Sequence, residues 1–277
     1  MKSNHRRFLS DLKAAVRIGH PEAVEMALNN LRTLPFVSSN DQLPVGFIKS
    51  VIHPSGRTLS RRPVLELSRW CAHQLTAYRA LAAASLAYRY MSAGDVDPKL
   101  LHNAANDNRS EVRLVLGQAL SKLAEDNSTR SQILAVSWLQ DDAPKVRATA
   151  LGFIPSLAAS SQHQIIGWLQ PLGNDFHDGV RLALVEALKT MADAGHTEII
   201  FALLEDWVSR PHPNIWLITR TISGSWAVSH PEEVSAILKQ IQSKNKGDKE
   251  ITTALKALQR HGLKLNLELS SNVSDEK

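Results

Sequence analysis

The chain is predicted to be all-α, a right-handed solenoid of stacked helical hairpins with a period of about 34 residues, and three observations carry that prediction. First, Val112-Arg113, Val146-Arg147 and Val180-Arg181 are spaced by 34 residues, and each valine stands five residues after an aspartate, Asp107, Asp141 or Asp175. A fixed period in this range marks helical hairpins that bury their apolar faces only by stacking. Second, apolar residues follow each register valine at offsets 4, 8 and 11: Leu116, Leu120, Leu123; Ala150, Ile154, Leu157; Leu184, Leu188, Met191. That spacing places them on one continuous helical face. Third, Trp70, Trp138 and Trp207 each precede by eight residues the register residues Tyr78, Val146 and Ile215, a regularity that packing imposes.

The elements follow in order. Residues 7–34 read as two short helices, the second opened by His20-Pro21-Glu22, with proline where no N–H partner is needed and Glu22 at the positive end of the helix dipole. From Pro35 to Pro63, Pro35, Pro44, Pro54, Gly46 and Gly56 break any long helix, although Val45–Ile52 has the makings of a short one. His53 to Pro63 reads as a basic loop holding Arg57, Arg61 and Arg62, either a solvated connection or a contact to phosphate or an acidic partner. The expected organisation is a helical cap with this loop over 1–62, an array of about six hairpins over 63–262, and a tail over 263–277. First helices are expected near 63–75, 98–106, 129–139, 162–172, 197–208 and 231–241, and second helices start near Tyr78, Val112, Val146, Val180, Ile215 and Ile251. The tail, with Leu263, Leu265, Leu267 and Leu269 alternating, is expected to cap the last hairpin in extended form.

Composition narrows the function. One cysteine, Cys71, excludes an intrachain disulfide and a cysteine-held zinc, which suits a reducing compartment. No apolar run approaches a membrane span and the N-terminal stretch is amphipathic, so a soluble, cytoplasmic protein without membrane contact is expected. The net charge of +5 is unevenly placed: residues 1–75 hold 11 Lys/Arg against 5 Asp/Glu, and residues 76–262 hold 19 of each. The high isoelectric point therefore gives no support for nucleic acid lying along the repeats. Catalytic spacings such as His-x-x-x-His and glycine-rich phosphate loops are missing, the adjacent acids Asp141-Asp142, Glu205-Asp206 and Glu232-Glu233 read as helix-end and surface residues, and neither a cofactor nor a metal is expected.

An aspartate five residues before Val-Arg on a hairpin of this length resembles the HEAT repeat, over roughly residues 63–262. The resemblance implies a structural ladder between neighbouring repeats made of Asp107, Arg113, Asp141, Arg147, Asp175 and Arg181. A charge recurring at the edge of an apolar face needs a recurring partner, so the residues by themselves agree.

The fifth unit departs from the pattern: Pro213-Asn214-Ile215-Trp216 lacks both ladder partners, and Arg220 replaces Gly117, Leu151 and Val185 of earlier units. Rules that hold elsewhere and fail once point to a site, so Trp216 and Arg220 are candidate binding residues, with a packing plug as the alternative for Trp216. Trp226 falls at the offset of Leu123, Leu157 and Met191 and is expected in the core. Asn214 to Arg220, Ser229 to Val234 and Leu255 to Gly262 are similar to the last repeats of bacterial HEAT-like DNA alkylation repair proteins. That resemblance implies, as the alternative, a DNA-binding repair protein or glycosylase acting on duplex DNA, with Trp216 as the aromatic and Arg220 as the phosphate contact. The expected function is a non-enzymatic interaction scaffold binding a macromolecule, a protein first and nucleic acid second, on a curved surface.

Overall fold

The computed structural model describes residues 2–34, 37, 42–124, 128–244 and 248–265. Among these, regular structure is entirely helical. The chain forms two compact units, Met1–Leu157 and Ala158–Lys277, so the expected cap shares a compact body with the first hairpins.

In the first unit, α1 (Lys2–Ile18) packs on α2 (Pro21–Asn29), and Pro21 occupies the first turn as expected. The basic segment is not a loop. A short α3 (Val45–Phe47) runs through a π-helical turn, Ile48–Ile52, into α4 (His53–Leu59). Proline at 54 removes a backbone donor and crowds the preceding turn, and the wider π turn relieves that crowding. Gly56 fits because it packs against α6 (Thr76–Ser92): a Cβ there would lie 2.5 Å from the Ala84 Cβ. Prolines and glycines that break an exposed helix are here held in a buried one, with Ile48, Val51, Ile52 and Leu59 all inaccessible to solvent.

Hairpins follow: α5 (Val64–Cys71) with α6, α7 (Pro98–Ala105) with α8 (Ser110–Ala124), and α9 (Ser128–Leu139) with α10 (Pro144–Leu151). Helix α6 is alanine-rich and buried almost all round because it contacts α4, α5 and α8. The face expected to continue unbroken from Val146 to Leu157 is interrupted. α10 stops at Leu151, and a 3-10 turn, Ile154–Leu157, resumes after Gly152-Phe153. Pro155 cannot donate to residue 151, which ends the α-helix, yet Val146, Ala150, Ile154 and Leu157 all stay buried.

The second unit holds α11 (Ala158–Leu169), α12 (Asp178–Asp193), α13 (Thr197–Ser209), α14 (Ile215–Ile222), α15 (Pro231–Ser243) and α16 (Asp248–Arg260). Helix α13 packs on both α11 and α15, and α14 packs on both α12 and α16, so first helices meet first helices and second helices meet second. Trp207 on α13 fills the space over Gly173 and donates its indole N–H to the Gln170 carbonyl at 3.0 Å. Trp138, Trp207 and Trp226 are buried as expected, whereas Trp70 is half-buried.

Cations close the carbonyl ends of these helices. Arg89 reaches Arg62 O at 2.7 Å, Arg130 reaches Met91 O at 3.0 Å, Arg210 reaches Gln170 O at 2.8 Å and Lys244 reaches Val208 O at 2.7 Å. Of the expected extended tail, residues 263–265 are without regular structure, and residues 266–277 lie outside those described. Among the described residues no helix is long and apolar enough to cross a membrane.

Candidate functional site

The three Asp-Val-Arg registers are built alike at their turns. The side chain of Asp107 accepts from Arg109 N at 2.9 Å, that of Asp141 from Ala143 N at 2.8 Å, and that of Asp175 from His177 N at 2.9 Å. Each carboxylate thereby fixes the turn that launches a second helix. Arg113 donates to the Asp107 carbonyl at 2.6 Å, and Arg147 to those of Asp141 and Asp142 at 2.7 and 3.0 Å. Arg181 pairs with Asp178, within its own helix. Side chains of the register aspartates also bridge neighbouring hairpins in the first unit: Arg79 on α6 pairs with Asp107, and His102 Nε2 on α7 lies 2.8 Å from Asp141 Oδ2. Arg79 and His102 were not among the residues singled out from the sequence; Tyr78-Arg79 was the visible signal for the first of them.

Trp216 and Arg220 lie one turn apart on α14, where Asn214 caps the helix by accepting from Leu217 N at 3.1 Å. The tryptophan that stands in the arginine position is 39% exposed, so it is not a buried plug. Trp216 and Arg220 line one groove of about 520 Å³ with Leu182 from α12 and with Lys249, Glu250, Ala254 and Ala257 from α16. The guanidinium of Arg181 sits 5.8 Å from the Trp216 ring centre, a cation–π geometry, and its buried Nε has no hydrogen-bond partner among the described residues. Burial holds the nearby Lys189 ammonium below its usual range, and Arg220 adds to that effect against the opposing Glu186 and Asp193. The groove joins the apolar side chains of Leu182, Trp216, Ala254 and Ala257 to a polar rim that holds Arg220, Lys249 and Glu250. Leu182 and Lys249 were not foreseen, because their convergence on Trp216 depends on how α12, α14 and α16 stack.

The three arginines of the basic segment part company. Arg62 is buried, with Nε 2.9 Å from Glu66 Oε2 and Nη1 2.8 Å from the Gly19 carbonyl. Arg57 and Arg61 instead line a separate cleft in the first unit. Among the described residues no three His, Cys, Asp or Glu side chains come together as a metal site would require.

Comparison of the chain with protein-family models, curated proteins and solved structures gives no match.

Proposed function

We propose that this chain is a HEAT-like repeat scaffold with no catalytic role, which binds a protein partner through the second-helix surface around Trp216. One observation carries the reading. Among the described residues of the second unit three large apolar side chains are exposed, and two of them, Leu182 at 52% and Trp216 at 39%, share one groove. Phe176, 79% exposed, stands two residues before α12. Exposed aromatic and aliphatic anchors inside a polar rim have the anatomy of a protein interface centre. The fitting partner is a protein segment that offers an apolar side chain to Trp216 and Leu182 and a carboxylate to Arg220 or Lys249.

A second reading, a DNA-binding protein of the alkylation-repair type, is favoured by Arg181 over Trp216 beside Arg220 and Lys249. An aromatic face with cations is also what a stacked base and its phosphates need. A fluorescent duplex, with and without an alkylated base, titrated across a salt series against the intact chain, Trp216→Ala and Arg220→Ala separates the two. The protein-partner reading expects weak binding that neither variant alters. Tight binding that falls steeply with salt and is lost in both variants establishes the DNA reading in its place.

A further inference from the structure

The first unit holds a second cleft of different chemistry. It has a volume of about 670 Å³, and α1 contributes Lys13 and Arg17, the π turn Lys49, α4 and the turn after it His53, Arg57 and Arg61, and α8 Lys122. Val16, Pro54, Thr58 and the buried Tyr88 complete it, and among the described residues no Asp or Glu lines it. Among the described residues none of the six Lys and Arg side chains is held in an ion pair.

That absence contrasts with three less exposed cations of the same unit. Arg62 is spent on Glu66, Arg79 on Asp107, and Arg89 on Asp95 and the carbonyl end of the α4 segment. Like charges four apart on a helix repel, and Lys13 and Arg17 have that spacing on α1. Folding gains nothing from six converging, uncompensated cations. Their backbone is nonetheless fixed, since Arg89 holds the Ser60 and Arg62 carbonyls and Gly56 is wedged against Ala84.

The lining also selects by hydrogen-bond type. Ammonium and guanidinium groups only donate, and the side-chain hydroxyl acceptors of the lining are few: the Thr58 oxygen, whose own proton goes to the Pro54 carbonyl at 3.0 Å, and the Tyr88 oxygen. The His53 ring is 2% exposed, with Nε2 3.0 Å from Gln118 Oε1 and an unpartnered, buried Nδ1. Burial first, and Lys122 in addition, hold His53 below its ordinary range against the opposing Gln118 bond. A peptide backbone, a sugar or a base brings N–H and O–H groups that would find few acceptors. Phosphate oxygens only accept, and a volume in the range of small-molecule sites suits closely spaced phosphoryl groups better than an extended strand.

We propose that this cleft is a binding site for a compact oligophosphate, an anion with three or more phosphoryl groups in a row, held by Lys13, Arg17, Lys49, Arg57, Arg61 and Lys122. Inorganic polyphosphate and the triphosphate end of a nucleotide share that chemistry. The site is independent of the Trp216 groove and stands whichever partner that groove takes.

The test is calorimetric titration of the full chain at constant ionic strength with tripolyphosphate, a nucleoside triphosphate, orthophosphate and a single-stranded oligonucleotide. Tripolyphosphate is expected to bind at least about tenfold more tightly than orthophosphate, because adjacent phosphoryl groups engage several cations at once. Arg57→Gln and Arg61→Gln are each expected to weaken it about tenfold, Arg57→Lys much less, and Lys239→Gln in the second unit not at all. Equal affinities for tripolyphosphate and the nucleoside triphosphate mean that only the phosphates are read; a clear preference for either names the source. No binding of tripolyphosphate by the intact chain overturns the proposal, as does equal weakening by Lys239→Gln or tighter binding of the oligonucleotide. Circular dichroism of each variant identifies any loss that comes from unfolding, and Arg57→Lys then carries the test.

Discussion

Arg79 donates from Nε to Oδ2 of Asp107 at 2.8 Å, joining the second helix of one hairpin to the turn that launches the next. The same carboxylate fixes that turn by accepting from Arg109 N on its other oxygen. Its side chain is only 3% exposed, so it needs both partners. Removing one member of a buried pair leaves the other charge uncompensated. Arg79→Ala is therefore expected to cost about 3 kcal/mol in urea unfolding, by the usual magnitude for a broken buried pair. Arg7→Ala, which removes an exposed pair with Asp11, is expected to cost almost nothing.

Gly56 distinguishes a packed helix from a basic loop. Gly56→Ala pushes a methyl group against the Ala84 Cβ and is expected to destabilise by about 1–3 kcal/mol, the range for overpacking. Gly46→Ala, on α3 with open space around it, should be neutral or stabilise by about 0.5–1 kcal/mol, since alanine is favoured over glycine in a helix. Equal, small effects at both positions, measured by urea midpoint, would contradict the packed α4.

Cys71 should be a slow nucleophile. Burial pushes its thiol up to about 11, Asp107 adding to the rise and Arg79 opposing it. Thiolate is the reactive form, so alkylation of the folded chain at neutral pH is expected to be about 100-fold slower than in denaturant. Timed iodoacetamide labelling with mass spectrometry measures that ratio.

His53 gives stability a pH dependence of known sign. Its value lies below the ordinary 6.5 in the fold, chiefly through burial, so the unfolded chain binds its proton first as pH falls. Stability from this group is constant above 6.5 and is lost as pH descends below it towards the folded value. The urea midpoint should drop between about pH 8 and about pH 5 by more in the intact chain than in His53→Gln. His73 is lowered in the same direction but is present in both proteins and cancels.

Much of the helical layout was legible in the sequence because its signals are local. Pro98, Pro144 and Pro231 stand at the starts of α7, α10 and α15, and the 34-residue spacing of Val112, Val146 and Val180 locates three second helices. What could not be read depended on contacts distant in sequence. Gly56 looks like a helix breaker until α6 offers Ala84 for it to pack on. Trp216 could be singled out as a broken repeat rule, whereas Leu182 joins it only through the packing of α12 on α14. Likewise Arg57 and Arg61 read as one basic segment, and nothing local ties them to Lys13, Arg17 or Lys122. A like-charge pair at four-residue spacing without a nearby acid was the one available hint.

The most direct test of the interaction reading is a photo-crosslinking amino acid at position 182, activated in living cells, with position 65 as a control that is also exposed but lies on α5. A protein held at the Trp216 groove should give discrete, nuclease-resistant adducts at 182 that disappear when Trp216→Ala is added and are missing at 65. Adducts removed by nuclease, or the same pattern at both positions, would contradict a protein partner at this groove.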